Sequence, residues 1–302
     1  MRFSIWPAAT QPYTDLLAVA RHAADTGWDG VWIADHFMGS GGPGFPAEAP
    51  TLEAGSLVAA LAATVPRVRI GTLVYGNTYR HPAVVANMAA TVDQISGGRF
   101  VLGLGAGWQE NEHRQYGIEL PPVGERVDRF EEAVQVIRSL LSEPVTTFVG
   151  AHYRLTDAVC EPKPVQDPLP VLIGASGERR MLRLTARHAD LWNTWGLPDH
   201  IAHKSAVLDR HCEAVGRDPA AIQRTAQALV FPTDDPAEAD ALVARSRFPA
   251  FGGPPDRLAE VVAAYAEAGV DELIVRDNTL GQGAGKLENL DRLGAEVFAP
   301  FR

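Results

Sequence analysis

Short apolar runs, each closed by a polar or glycine-containing turn, alternate along the chain with longer stretches whose apolar positions fall at helical spacing. Phe3 to Trp6 opens the series as a strand, and a helix from about Thr14 to Thr26 follows, closed by Gly27. Gly30 to Ala34 carries Val31, Trp32 and Ile33 in an unbroken run, the pattern of a strand buried on both faces. A helix near Leu52 to Thr64 then leads to the strand Val68 to Val74. Another, near Pro82 to Ile95, leads through Ser96-Gly97-Gly98 to the strand Phe100 to Gly105. After a longer excursion come the strand Val171 to Ile173, a helix from about Glu178 to His188, and the strand Asp190 to Trp195. A helix from Pro198 to Val215, the strand Gln227 to Phe231, a helix from Asp256 to Ala268, the strand Glu272 to Val275 and a final helix complete the pattern. Eight strand-helix units predict an α/β fold, a closed TIM (β/α)8 barrel, because closure leaves no edge strand.

Three segments are too long for simple connections: Met38 to Pro50, Trp108 to Gly124 and Pro144 to Pro170. They are expected as insertions over the C-terminal face, walling a pocket. A chain of 302 residues with 46% hydrophobic content can bury one large core, so residues 1-302 read as a single barrel domain. The 27 Lys and Arg against 37 Asp and Glu give a net charge of -10, which argues against nucleic acid and against a membrane surface as partner. Cys160 and Cys212 are too few for a disulfide framework and lack metal-ligand spacing, and the N-terminus lacks the features of a signal peptide. A soluble cytoplasmic protein is expected.

In a parallel α/β protein, ligands sit at the carboxyl ends of the strands. Four constellations fall there. Asp29-Gly-Val-Trp-Ile-Ala-Asp35-His36-Phe37 ends a buried run in a carboxylate, an imidazole and an aromatic ring. An imidazole oriented by the neighbouring carboxylate can hold or relay a proton near neutral pH, while a pair that merely satisfies backbone groups is the plainer alternative. Gly71-Thr-Leu73-Val74-Tyr75-Gly76-Asn77 runs a strand into a turn. Gly103-Leu-Gly-Ala106-Gly107-Trp108 ends a strand in alternating glycines, which either let a ligand approach the backbone or serve packing. It is not a dinucleotide fingerprint, since Trp108 stands where the last glycine would fall. Gly174-Ala175-Ser176-Gly177-Glu-Arg-Arg180 opens towards a helix and offers amides, a hydroxyl and a guanidinium to an anion, a cofactor phosphate rather than ATP because the P-loop lysine is missing; an ordinary helix cap is the alternative. His81 and His113 stand alone, and no spacing forms a metal site or a nucleophile elbow.

The order of these motifs along the chain resembles the luciferase-like monooxygenase superfamily, over nearly the whole length. Asp35-His36-Phe37 and the Ala106-Gly107-Trp108 turn are most similar to the branch that uses the deazaflavin coenzyme F420 rather than FMN. The resemblance implies a non-prolyl cis peptide at Leu73-Val74 behind the ring, with Asp35, Ala106, Gly107, Trp108 and Asn111 near the cofactor. Gly174, Ala175, Ser176 and Gly177 would form its phosphate turn. His36 would face the reacting ring as the proton-handling group, oriented by Asp35. Sugar-phosphate dehydrogenases of this branch carry a Glu directly after the turn's last glycine, where this chain has Trp108. His36 is therefore expected to lack an acidic partner, and a carbonyl, alkene or hydroxyl compound in an apolar pocket fits better than a sugar phosphate. An FMN-dependent monooxygenase and a non-catalytic flavin-binding or deazaflavin-binding protein on the same barrel are the rival readings. A small-molecule substrate and a homodimer are the partners the resemblance implies.

Overall fold

In the computed structural model, which describes residues 1–42 and 46–302, eight parallel strands close on themselves. They are Arg2–Trp6, Gly30–Ile33, Arg69–Thr72, Phe100–Gly105, Val171–Gly174, Leu191–Trp195, Gln223–Pro232 and Glu272–Arg276. Each pairs with its neighbours in chain order, and Glu272–Arg276 returns to pair with Arg2–Trp6. The fold is the TIM barrel read from the alternation.

Side chains alternate along each strand between two cores. Phe3, Ile5, Val31, Ile33, Leu102, Leu104, Ile173 and Val275 pack outward against the helices. Trp6, Trp32, Val101, Leu172, Leu191 and Ile274 pack together inside the barrel. At its lower end the barrel encloses the Glu272 carboxylate, which accepts hydrogen bonds from the Ser4 hydroxyl, from Trp32 Nε1 at 2.9 Å and from Arg69. A charge this deep is tolerated because its oxygens are met.

Several boundaries differ from the sequence pattern. The third strand ends at Thr72 instead of Val74, immediately before the cis peptide Leu73-Val74; the chain resumes pairing at Tyr75–Gly76 against Leu104 and Gly105. The seventh strand runs for ten residues, starting four before the apolar run Gln227 to Phe231, and carries a short parallel partner, Ala250–Gly253, beyond the barrel. The helix expected from Glu178 begins at Met181, after a turn. Of the expected insertions, Trp108 to Gly124 contains the helix Glu110–Tyr116, and Pro144 to Pro170 contains the antiparallel hairpin Thr146–Val149 and Arg154–Ala158. Within Met38 to Pro50, residues 43–45 lie outside the described residues. Both cysteines are buried free thiols, and burial pushes both up from the usual thiol range.

Candidate active site

The second strand delivers Asp35 and His36 to the carboxyl end of the barrel, but to different partners. Asp35 is buried, accepting from the Gly76 amide at 2.9 Å and from both terminal nitrogens of Arg80 at 2.7 and 2.9 Å. It ties the second strand to the chain just after the cis peptide. The expectation that Asp35 orients His36 is therefore corrected: its oxygens face the Arg80 guanidinium, and no hydrogen bond joins it to the imidazole among the described residues. Arg80 also donates to Glu53 at 2.6 Å and lies over the Tyr75 ring, 4.8 Å from its centroid. Burial alone would depress this guanidinium; the bonds to Asp35 outweigh it and hold the group above its ordinary range.

The partner of His36 is Glu112, from the helix Glu110–Tyr116 in the second insertion. His36 Nδ1 lies 2.8 Å from Glu112 Oε1, and the Phe37 amide donates to Oε2 at 2.8 Å. The Tyr79 hydroxyl donates to Oε1 as well. The carboxylate side chain is fully buried while that of His36 is 30% exposed. Burial would raise the Glu112 carboxyl, but the bonds from His36, Tyr79 and the Phe37 amide prevail and hold it below the usual range, so it stays ionised. Burial and the adjacent carboxylate both push the Tyr79 phenol up, so it remains a donor. The expectation that His36 lacks an acidic partner is thus corrected too, since Glu112, not a residue adjoining Gly107, fills that place. With Nδ1 engaged, Nε2 is the nitrogen left to meet a substrate. Trp108 stands edge-on to the imidazole, ring centroids 5.5 Å apart, and is 61% exposed.

The alternating glycines serve packing. A Cβ at Gly103 would run into the Thr72 carbonyl, one at Gly105 would meet Val74 Cγ2 at 2.6 Å, and one at Gly174 would meet both Val74 methyls at 3.1 Å. The cis bulge thus aims Val74 into a hollow that three glycines on two strands leave open. The reading of Gly103 and Gly105 as a ligand approach is replaced by this one. Gly107, at φ +86°, takes a left-handed conformation and packs on Thr78, where an added Cβ would lie 2.6 Å from Oγ1. Ala106 is half-buried beside it, and its neighbour's carbonyl accepts from Arg126 at 2.6 Å.

Asn111 donates to the Gly39 carbonyl at 2.8 Å, pinning the start of the first insertion and leaving its own side-chain oxygen uncommitted. In the turn after the fifth strand, the Ala175 amide is used by Asn193 O at 3.0 Å, whereas those of Ser176, Gly177 and Glu178 make no hydrogen bond among the described residues. Arg180 does not turn towards this site; it pairs with Asp128 and the Gly124 carbonyl. On the far wall, Trp195 packs against Trp6 and Phe248 with centroids 5.7 and 4.9 Å away. Gln227, in register with Trp195, keeps a buried Oε1 that meets no hydrogen-bond donor. His81 caps the helix Pro82–Ser96 through Nδ1 and is exposed at the rim of a cleft, whereas His113 is buried with both nitrogens engaged, by Gln109 O and Thr78, and is not free for chemistry. A cleft of about 290 Å³ opens between the Asn77 to His81 loop and the two longer insertions, Glu119, Pro121 and Tyr153 among its walls. Among the described residues no group of three His, Cys, Asp or Glu is placed to hold a metal, and no helix is long and apolar enough to cross a membrane.

Residues 1–252 match the family described as luciferase-like monooxygenase. The chain is 39% identical over 169 residues to an F420-dependent glucose-6-phosphate dehydrogenase of Amycolatopsis mediterranei, covering 54% of this chain and 48% of that one. A protein of the same description from Kineococcus radiotolerans is 34% identical over 224 residues, 73% of this chain and 64% of its own. The match therefore spans between about half and two thirds of these relatives' lengths. Among solved structures, the coenzyme F420 dependent tetrahydromethanopterin reductase from Methanopyrus kandleri superposes with a TM-score of 0.84, covering 100% of this chain and 99% of that one at 18% identity, a likeness of fold.

Proposed function

The chain belongs to the luciferase-like monooxygenase family, and from that premise we propose that it is a coenzyme F420-dependent oxidoreductase acting on a small organic substrate. The observation that carries this reading is the imidazole of His36, anchored through Nδ1 to a buried carboxylate and presented at the barrel mouth next to the Asp35-anchored cis-peptide floor. The residues present fit a flat polar ring carrying a phosphate: a peptide floor at Leu73-Val74, a donor-poor Gln227 oxygen, an uncommitted Asn111 oxygen and three free amides at Ser176, Gly177 and Glu178. Bound there, coenzyme F420 would supply the two-electron carrier, accepting or giving a hydride.

The chain's own residues supply proton handling and position. In oxidation of a hydroxyl compound, Nε2 of His36 takes the hydroxyl proton; in the reverse direction it gives one to the forming oxygen. Glu112 stays ionised, fixes the ring orientation and stabilises the imidazolium that forms. Trp108, standing edge-on beside His36, gives the mouth an apolar wall that suits the organic part of a carbonyl, alkene or hydroxyl compound.

Fluorescence titration of the purified apoprotein with coenzyme F420 and with FMN tests the cofactor. Binding of the deazaflavin is expected; tight FMN binding with none for F420 sinks the reading in favour of an oxygen-using flavin enzyme. Replacing His36 by Ala is expected to lower turnover about 100-fold or more while changing F420 affinity less than about threefold. A complete absence of turnover across alcohols, aldehydes and enones, with F420 bound, leaves a carrier protein as the better description.

A further inference from the structure

Next to the free amides of Ser176 and Gly177, the chain gathers more positive charge than it neutralises. Arg179, Arg180, Arg183 and Arg187 line a cleft of about 210 Å³ between the helices Met181–His188 and Val123–Ser142. Arg180 is paired with Asp128, and Arg187 with Glu131 at 3.2 Å. Arg179 and Arg183 make no ion pair or side-chain hydrogen bond among the described residues. Four guanidiniums therefore face two carboxylates, in a chain whose net charge is -10.

The placement works against the helix that carries it. Three of the four arginines stand at or just before its N-terminal turn, where the helix dipole disfavours cations, and no acidic residue occupies that turn. Arg183 and Arg187 are four residues apart, a spacing at which like charges repel. Folding stability gives no reason for this row; an anion laid along it does. The larger cleft is different. There Arg80 is met by Asp35 and Glu53, Arg129 by Glu119 and Glu125, and Arg126 by the Gly107 carbonyl.

We propose that the arginine-lined cleft holds the oligoanionic end of the cofactor, the chain of γ-linked glutamates that coenzyme F420 carries beyond its phosphate. The proposal rests on the F420 reading above. Arg179 follows Gly177 by two residues, about 7 Å at full extension, so a ligand phosphate at the turn has the first guanidinium within reach of its next anionic group. Arg183 and Arg187 continue the row, rooted about 6 Å apart along the helix. Successive carboxylates meet successive guanidiniums, and the unpaired Arg179 and Arg183 gain most.

The test is a fluorescence titration of the full chain with two forms of the cofactor, one with a long glutamate chain and one trimmed to its phosphate and lactyl group. The long form is expected to bind wild type about tenfold more tightly, with the difference shrinking as salt rises from about 0.05 to about 0.5 M. The double variant Arg179→Ala/Arg183→Ala should weaken the long form about 5- to 20-fold and leave the trimmed form within about twofold. Equal affinity of the two forms for wild type, or an equal loss for both in the variant, overturns the proposal while leaving the F420 reading intact. If neither form binds, that reading fails and this proposal falls with it.

Discussion

Replacing Glu112 by Gln isolates the contact on which the proposed proton chemistry turns. The side chain keeps its shape but loses its charge at a fully buried position where it accepts from His36, Tyr79 and the Phe37 amide. A hydrogen bond to a charged group contributes about 1.5 to 3 kcal/mol, and the amide oxygen of Gln can still serve one or two of the three donors. The expected loss of stability is about 2 to 3 kcal/mol, read by denaturant unfolding. The Gln amide nitrogen then faces His36 Nδ1 and disfavours the orientation and tautomer that leave Nε2 as acceptor. Turnover with the best substrate is expected to fall about 100-fold, or about 2.7 kcal/mol of transition-state stabilisation at 1.36 kcal/mol per tenfold. F420 affinity should change less than about threefold. A merely structural role makes a different prediction, so the double variant decides. If Glu112 acts through the imidazole, His36→Ala/Glu112→Gln is no slower than His36→Ala alone. Turnover within twofold of wild type in Glu112→Gln, or full additivity in the double variant, refutes the reasoning.

Other consequences are open to measurement. Asp35→Asn leaves the Arg80 guanidinium without its buried partner and should cost about 3 to 5 kcal/mol in urea unfolding, whereas Asp35→Asn/Arg80→Met should recover much of that; equal destabilisation in both would show the pair is not the cause. Gly103→Ala places a methyl against the Thr72 carbonyl and should cost at least about 3 kcal/mol or abolish soluble expression, while Gly117→Ala, with open space but φ +69°, should cost about 1 kcal/mol. Glu53 caps the helix Ala54–Thr64 and meets Arg80; burial alone would raise its carboxyl, but the amides of Ser56 and Gly55 and the guanidinium bring it down to about 2. Its stabilisation is therefore complete above the usual value of 4.5 and lost as pH falls from there towards about 2. With the side chain 40% exposed, solvent screening leaves about 1 to 2 kcal/mol, and Glu53→Gln should show a correspondingly flatter loss of stability across that window in acid unfolding.

Much of the barrel was written locally. Runs such as Val31-Trp32-Ile33 and Val101-Leu102 are apolar at every position because one face meets helices and the other meets the barrel interior, and no other element type of that length needs this. The positions of Asp35, His36, Trp108 and the Ser176-Gly177 turn followed, since a strand's carboxyl end is fixed once the strand is. The contacts among them did not. Glu112 meets His36 across 76 residues, and Arg80 meets Asp35 across 45, through an insertion helix and a loop whose approach no local spacing encodes. The faint signal was the Glu110-Asn-Glu112-His113 stretch, where a short helix directly after a strand-end turn buries a carboxylate. The glycines misled because their reason lies on another strand. Gly105 and Gly174 are small so that Val74 can enter and Gly103 so that the Thr72 carbonyl can approach, and nothing within their own sequence window shows these neighbours arriving.

That fit between one valine and three glycines ties together positions that lie far apart in the gene. A side chain at 105 runs into Val74, one at 174 presses on both its methyls, and one at 103 strikes the Thr72 carbonyl just before the bulge. Changes at 105 and 174 are therefore coupled to the side chain at 74, while 103 is held by the backbone of the third strand. Among relatives of this chain, the identities at 74, 105 and 174 should change together while 103 stays glycine, so the floor of the site is inherited as a unit even where its rim diverges.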